Sequence, residues 1–169
     1  AIIKTRIEGV DLAAGQKRLS SSVALFLAAC ERAAQPGFRG DQAPIRPQAT
    51  PLLWQGKLLT LGFTGLLTCF DAATGRVLWE HDLVKEFEAR PVQFGFSGGP
   101  VIYDGAFIVH VGGKQATLIA FEPRDGRVRW SSAPAEPSYA TPVLVRVEGE
   151  NQLVQVTRDT VVGVAAKDG

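Results

Sequence analysis

Residues 69–79 read CFDAATGRVLW, and residues 120–130 read AFEPRDGRVRW. In both stretches an acidic residue is followed by Gly four positions later and by Trp eight positions later. Two weaker copies lie near the ends of the chain, GVDLAAG at 9–15 and GVAAKDG at 163–169. Units that recur about every 40–50 residues are typical of propeller blades and of helical repeats.

A second motif precedes these stretches. Residues 50–56 read TPLLWQG, residues 99–105 read GPVIYDG, and ATPVL at 140–144 opens a third copy. We expect the recurring residues to be structural, because Gly closes tight turns and a Trp ring is large enough to cover the gap to the next unit. The recurring positions are Asp11, Gly15, Pro51, Gly56, Asp71, Gly75, Trp79, Pro100, Gly105, Glu122, Gly126, Trp130, Pro142 and Gly169.

Within each unit, short runs of aliphatic, aromatic and β-branched residues alternate with turns that contain Gly. The runs lie at 49–54, 57–62, 66–71 and 76–81, and again at 99–104, 106–111, 117–122 and 127–132. Runs this short predict strands connected by hairpins, and four antiparallel strands per unit make a propeller blade. The sequence therefore predicts an all-β fold, a β-propeller of four-stranded antiparallel blades, present as a partial array of about three blades.

The repeat boundaries divide the chain into five predicted segments. They are 1–19, the tail of a preceding blade; 20–48, an insertion between blades; 49–98, a blade; 99–140, a blade; and 141–169, a blade that lacks its last strand. A propeller closes on itself and so removes exposed sheet edges. We therefore expect this stretch to be a piece of a longer chain, whose further blades complete the ring.

The overall composition is that of a globular protein. The 169 residues include 18 Lys and Arg against 17 Asp and Glu, for a formal charge of +1. This balance excludes a disordered acidic tail, and it argues against nucleic acid as a partner, which requires a basic surplus. The chain contains no Met, so we expect Ala1 to follow a processing site or to lie inside a longer protein.

The longest apolar run, at 23–30, has eight residues. It is far shorter than the ~18 residues of a transmembrane helix, so we predict no transmembrane segment. Lys17 and Arg18 before it, and the Leu27–Cys30 stretch at its end, leave two interpretations open. One is a lipoprotein signal; the other, which we favour, is a short apolar segment between two repeat units.

Two glycine-rich stretches match catalytic or binding motifs by their letters alone. GFSGG at 95–99 matches G-x-S-x-G, but a nucleophile elbow needs a strand before it and a helix after it. Because a strand is predicted directly afterwards, we interpret Ser97 as a loop residue at a blade entry. Lys114 follows two glycines but lacks the remaining P-loop residues, so we predict an exposed lysine in a hairpin turn.

The titratable residues give weak signals. Glu80, His81 and Asp82 form a cluster that contains a candidate general base, but its place after Trp79 favours a solvated rim. His110 lies among aliphatic residues and is either a hydrogen-bonded core residue, which we favour, or a residue of the central channel. Three charged residues on connecting segments are candidates for contacts through loops: Arg90, Arg158 and Asp159.

The chain has two cysteines, Cys30 and Cys69. Neither belongs to a C-x-x-C pair, and with His81 and His110 they do not form a zinc-binding spacing. A disulfide between them and two unpaired thiols remain as alternatives. We favour unpaired thiols, with Cys69 buried in a strand.

The motifs at 50–56, 69–79, 99–105 and 120–130 resemble the PQQ-like, quinoprotein-type β-propeller repeat of bacterial proteins. The resemblance covers residues 7–19 and 49–169. It implies a ring of seven or eight blades in the whole protein, and an exported protein of the periplasm or cell envelope. The family includes quinoprotein dehydrogenases, outer-membrane assembly scaffolds and other exported proteins.

Quinoprotein dehydrogenases of this family carry adjacent cysteines, a calcium site made of Glu, Asn and Asp, and a catalytic Asp. Here Cys30 and Cys69 are far apart, and Asn151 is the only Asn. We therefore assign no catalytic, cofactor-binding or metal-binding residue, and PQQ with calcium is implied by the family alone. We expect a non-enzymatic scaffold, or a module of the bacterial cell envelope that binds a protein or small molecule through its blade loops. The alternative is a fragment of a PQQ-dependent alcohol or sugar dehydrogenase.

Overall fold

The computed structural model describes residues 49–169, which form three successive antiparallel sheets. The first sheet contains β1 (Leu52–Trp54), β2 (Lys57–Leu61), β3 (Leu66–Asp71) and β4 (Val77–Asp82). The second contains β5 (Val101–Tyr103), β6 (Ala106–His110), β7 (Leu118–Phe121) and β8 (Val128–Ser131). The third contains β9 (Val143–Val147), β10 (Glu150–Val156) and β11 (Val161–Ala165).

Neighbouring strands in the chain are also neighbours in each sheet, so every sheet is an antiparallel meander. The predicted fold class, an all-β array of antiparallel four-stranded blades, is confirmed. The five-segment division of the chain stays a prediction, and Asp11, Gly15 and Cys30 lie outside the described residues, as does the lipoprotein interpretation.

One short helix, α1 (Leu83–Phe87), follows β4 and was not predicted. The Asp82 side chain accepts a hydrogen bond from the Lys85 amide, and Glu86 Oε1 accepts one from the Asp82 amide at 2.8 Å. This reciprocal capping satisfies amides that a helix start leaves free. The helix is only five residues long, too short for the apolar periodicity that identifies helices in a sequence.

The turns between the third and fourth strands share one backbone pattern. The Gly75 amide donates to the Asp71 carbonyl, and the Gly126 amide donates to the Glu122 carbonyl, both at 2.8 Å. Asp71 Oδ1 also accepts from the Thr74 amide at 2.8 Å. The motif therefore closes the turn through the backbone and, in the first sheet, through its acidic side chain as well.

Apolar side chains fill the space between sheets in two clusters. The cluster between the first and second sheets includes Leu61 and Trp79 from one side and Phe107 and Val109 from the other. The cluster between the second and third sheets includes Ile108 and Leu153. Because side chains alternate along a strand, β6 sends Phe107 to one neighbour and Ile108 to the other.

Each tryptophan of the recurring motif lies against the glycine turn of the next sheet. A Cβ on Gly126 would lie 2.8 Å from the Trp79 ring, and one on Gly169 would lie 2.9 Å from the Trp130 ring. The Trp79 ring also stacks on Phe121, with 6.1 Å between ring centroids. The sheets are thus joined by a ring-on-glycine contact that repeats from one pair of sheets to the next.

The meander gives the sheets two different ends. Short turns such as 55–56 and 104–105 lie at one, which we call the turn end. The opposite end carries the loops 62–65, 111–117 and 157–160 together with the two links between sheets, 83–100 and 132–142. We call it the connection end, and it is where candidate binding residues collect.

Candidate functional site at the connection end

Among residues 49–169, three aromatic side chains are exposed at the connection end. The exposed fractions are 39% for Phe63, 61% for Phe94 and 42% for Tyr139. We call these three residues the aromatic surface. Exposed aromatic side chains in one region are typical of interaction sites rather than of a solvated rim.

Direct contacts hold the aromatic surface together. The Phe94 and Tyr139 ring centroids lie 6.3 Å apart, and the Phe94 amide donates to the Tyr139 hydroxyl at 2.8 Å. Next to Phe94, Gly95 has φ +74°, and a Cβ there would lie 2.4 Å from the Phe63 carbonyl oxygen. Only glycine permits both that backbone conformation and that approach.

A charged network lies on the same end. Glu136 pairs with Arg90 at 3.5 Å through one carboxylate oxygen and with Arg158 at 3.6 Å through the other. Arg158 also pairs with Asp159 at 3.1 Å, which raises the pKa of the Arg158 guanidinium above its usual value. The structure therefore brings together Arg90, Arg158 and Asp159, the three loop residues singled out in the sequence. Sequence reasoning missed Glu136, since an acidic residue in a Pro-rich link carries no pattern.

A buried polar pair lies beneath these loops, between the second and third sheets. His110 at the end of β6 is 4% exposed, and Gln155 on β10 is 0% exposed. Gln155 Nε2 lies 3.3 Å from His110 Nδ1, 3.2 Å from the Ala140 carbonyl oxygen and 2.7 Å from the Val156 carbonyl oxygen. The pair therefore ties β6 and β10 to the link that carries Tyr139.

Two atoms of this pair have no hydrogen-bond partner among the described residues: His110 Nε2 and Gln155 Oε1. His110 was predicted to be a hydrogen-bonded core residue. The buried position is confirmed, but the prediction is wrong for one of its two ring nitrogens. Burial lowers the pKa of His110 to about 4, and proximity to the Ala140 carbonyl offsets only part of that effect.

The prediction of a solvated rim at residues 80–82 is wrong. His81 is half-buried, with Nδ1 2.6 Å from Glu86 Oε2 and Nε2 2.8 Å from the Gly126 carbonyl oxygen. Asp82 caps α1, and Glu80 Oε2 is buried without a partner among the described residues. His81 instead joins α1 and the first sheet to a turn of the second, because the ring-on-glycine contact brings Gly126 over β4.

Three further sequence interpretations of single residues agree with the structure. Cys69 is a free thiol buried in β3, and burial raises its pKa to about 12, so it is a poor nucleophile. Ser97 lies in the link before β5 without the strand-to-helix turn of a nucleophile elbow. Lys114 is exposed in the loop between β6 and β7.

A cavity of about 500 Å³ lies at the turn end of the third sheet. Its lining includes Tyr103, Asn151, Gln152 and Lys167, and the Asn151 amide nitrogen donates to the Tyr103 hydroxyl at 3.1 Å. The lining contains no histidine and no cysteine. Nothing in it combines a nucleophile with a base.

The described residues do not fit the quinone and calcium site of the dehydrogenases. In residues 49–169, no three His, Cys, Asp or Glu side chains come together in a way that could hold a metal ion. The one cysteine of this stretch is unpaired. We therefore derive no chemical step through PQQ or calcium.

A model of a protein family described as outer membrane protein assembly factor BamB matches residues 4–169. The chain belongs to this family. The PQQ-like resemblance of the blade motifs is thereby confirmed.

The curated relatives fall into two groups. The chain is 35% identical to BamB of Kangiella koreensis over 80 residues, which are 47% of this chain and 18% of that protein. It is 29% identical to BamB of Yersinia pestis over 114 residues, 63% of this chain and 28% of that protein. It is 29% identical to the quinohemoprotein alcohol dehydrogenase of Comamonas testosteroni over 92 residues, 51% of this chain and 13% of that protein. The chain thus spans less than a third of the length of each relative.

Solved structures show the same fold. BamB from Moraxella catarrhalis matches 73% of this chain and 34% of its own chain, with a TM-score of 0.51 and 19% identity. A quinohemoprotein alcohol dehydrogenase from Pseudomonas putida matches 76% of this chain and 20% of its own, with a TM-score of 0.50 and 19% identity. At these identities the likeness establishes the propeller fold alone.

Within residues 49–169, no helix has the length and apolar character that crossing a bilayer requires.

Proposed function

We propose that the protein is a non-enzymatic scaffold of the bacterial cell envelope that binds a partner protein through the connection end of its blades. The observation that carries this proposal is the aromatic surface of Phe63, Phe94 and Tyr139. Its side chains are exposed although Phe94 and Tyr139 belong to the two links that connect neighbouring sheets. Aromatic residues contribute most of the binding energy at many protein interfaces.

The family supports the envelope assignment. The matching family model and relatives from Kangiella koreensis and Yersinia pestis carry the name outer membrane protein assembly factor. By that analogy the protein is located in the periplasm or at the outer membrane, and its partner belongs to the machinery that handles outer-membrane proteins. Further blades of the same protein complete the ring and bury the remaining faces.

The network of Glu136, Arg90 and Arg158 fits the role of a polar rim. Arg90 and Arg158 are 49% and 66% exposed at their side chains, so each retains hydrogen-bonding capacity for a partner. Exposed ion pairs add little to stability but set the orientation and rate of association. An aromatic centre with a mixed-charge rim is the usual anatomy of a protein interface.

The proposal is tested by affinity purification of the intact protein from envelope fractions, in three forms. They are the natural protein, Phe94→Ser, and the control Val147→Ser, which removes a side chain that is 45% exposed at the turn end. We expect one envelope protein to co-purify in near-stoichiometric amount with the natural protein and the control, and to be lost with Phe94→Ser. Equal recovery with all three forms, or no partner with the natural protein, would contradict the proposal.

A second candidate function is a PQQ-dependent dehydrogenase, favoured by the similarity to the quinohemoprotein alcohol dehydrogenase of Comamonas testosteroni. Incubation of the intact protein with PQQ and calcium distinguishes the scaffold from the dehydrogenase. The scaffold proposal predicts that quinone does not bind in stoichiometric amount. It also predicts that added alcohol or sugar does not lead to reduction of an electron-accepting dye. Both activities together would establish the enzyme.

A further inference from the structure

The pair formed by His110 and Gln155 occupies a position that is apolar in the neighbouring interface. His110 is the fifth residue after Gly105, and Leu61 is the fifth residue after Gly56. Leu61 is 1% exposed and packs in the same cluster as Val109. A polar pair buried where the repeat otherwise places leucine loses apolar contact, so its presence calls for a role other than packing.

Hydrogen-bond geometry fixes the orientation of the Gln155 amide. Its NH₂ group faces the Ala140 and Val156 carbonyl oxygens, which can only accept hydrogen bonds. A flipped amide would place oxygen against both carbonyls. The same NH₂ group lies 3.3 Å from His110 Nδ1, so this orientation favours an unprotonated Nδ1 in a neutral imidazole.

Protonation of His110 opposes this arrangement, although the Ala140 carbonyl favours the charged ring in part. An N–H on Nδ1 would point at the NH₂ group of Gln155, and a cation would be placed in a site that is 4% exposed. To remove this conflict, either the Gln155 amide moves away from Ala140 or the link 132–142 itself moves. In either case the Gln155 bonds to Ser138 and Ala140 are lost, and the segment 138–140 keeps only the bond that Ser138 Oγ donates to the Val156 carbonyl of β10.

We propose that His110 and Gln155 form an acid-sensitive latch that holds the segment 138–140, and with it the Tyr139 side of the aromatic surface, in place. The latch closes when His110 is neutral and opens when it is protonated. Gln155 Nε2 contacts Ala140 and Ser138 Oγ, at 3.2 and 3.3 Å, on either side of Tyr139. Tyr139 in turn accepts a hydrogen bond from the Phe94 amide.

Charged groups on the surrounding segments do not replace His110 in this role. They are Glu136 on the link 132–142, Arg158 and Asp159 on the loop 157–160, and Lys114 on the loop 111–117. Arg158 pairs with both Glu136 and Asp159, and Lys114 is exposed. Burial and the Ala140 carbonyl account for the perturbed pKa of His110, with no contribution from a charged side chain.

The test is hydrogen–deuterium exchange on the intact protein between pH 7 and pH 4.5, corrected for the intrinsic pH dependence of exchange. A latch whose histidine titrates near 4 when closed and near its usual 6.5 when open opens about twentyfold more often at pH 5 than at pH 7. We expect the protection of backbone amides against exchange to fall by about the same factor in peptides covering residues 93–97 and 138–142. Peptides covering β2 and β3 serve as the internal control and keep their protection.

Two variants make the result specific. His110→Leu restores the residue type of the equivalent position 61, and His110→Gln keeps a neutral polar side chain in case leucine does not pack. Both remove the pH dependence if the latch exists. The inference is overturned if the natural protein shows no pH-dependent loss in these peptides, or if either folded variant shows the same loss. Only the consequence for partner binding rests on the proposed function, because exchange is measured without a partner.

Discussion

Trp79 Nε1 donates a 2.9 Å hydrogen bond to the carbonyl oxygen of Pro123, in the turn that closes the next sheet. The ring is 8% exposed and lies over Gly126 of the same turn. One side chain thus supplies apolar burial, ring stacking and a directed hydrogen bond across the boundary between two blades. This explains why Trp and Gly recur together in successive units, since the Trp of one unit contacts the glycine turn of the next.

Replacement of Trp79 by Ala should lower the free energy of unfolding by about 3–5 kcal/mol, as for other buried aromatic residues. Replacement by Phe keeps part of the apolar contact and removes the bond to Pro123, so its cost should be smaller. Urea denaturation of the intact protein measures both values. Equal and small effects, below about 1 kcal/mol, would show that the ring does not join the blades.

Gly126→Ala should be more destabilising than Gly56→Ala. The two glycines have nearly the same backbone conformation, with φ +76° and +74°, so the conformational penalty is matched. A Cβ at Gly126 would lie 2.8 Å from the Trp79 ring, whereas one at Gly56 meets no atom within 4 Å among the described residues. The difference between the urea denaturation midpoints of the two variants measures the contribution of the ring contact. Indistinguishable midpoints would show that this contact does not contribute to stability.

Acid should destabilise the protein through His110. Its folded pKa of about 4 lies below its usual value of 6.5, so the folded state disfavours the charged form. The stability that depends on neutral His110 is complete above pH 6.5 and is lost as the pH falls toward 4, by up to about 3 kcal/mol.

Denaturation midpoints of the natural protein and His110→Leu, measured from pH 7 to pH 4.5, isolate this contribution. The natural protein should lose stability relative to the variant as the pH falls, because only the natural protein has this buried imidazole. Parallel curves over the whole range would mean that His110 is not the group responsible.

Phe94→Ala and Phe96→Ala should differ sharply although both residues lie in the same link. Phe96 is 6% exposed and belongs to the core between the first two sheets, so its removal should cost about 3–5 kcal/mol. Phe94 is 61% exposed, so its removal should change stability by less than about 0.5 kcal/mol. A large loss for Phe94→Ala would mean that this ring serves folding instead of binding.

The strands and turns could be predicted from the sequence because local signals fix them. Apolar runs end at residue pairs such as Gln55-Gly56 and Asp104-Gly105, and the strands of the first two sheets begin and end within about three residues of the predicted runs. The contact of Trp79 with the next sheet could be expected as well, since the motif repeats in register.

The site could not be predicted to the same extent, because it depends on which loops meet. Phe94 and Tyr139 are 45 residues apart in the chain and come together only when the links 83–100 and 132–142 lie side by side. The partner of His110 is equally remote, since Gln155 reaches it across an interface between sheets. The sequence predicts a solvated rim for His81 when only the sheet that contains His81 is considered. In the structure, the residues that contact His81 come from two sheets.

The most direct test of the binding proposal is site-specific photocrosslinking in living bacterial cells. A photoreactive residue replaces Phe94 in one form of the intact protein and Val147 in the other, so that both report from exposed positions at opposite ends of the sheets. The binding proposal predicts a discrete adduct with one envelope protein from position 94 and none from position 147. No adduct from position 94, or the same adduct from both positions, would contradict it.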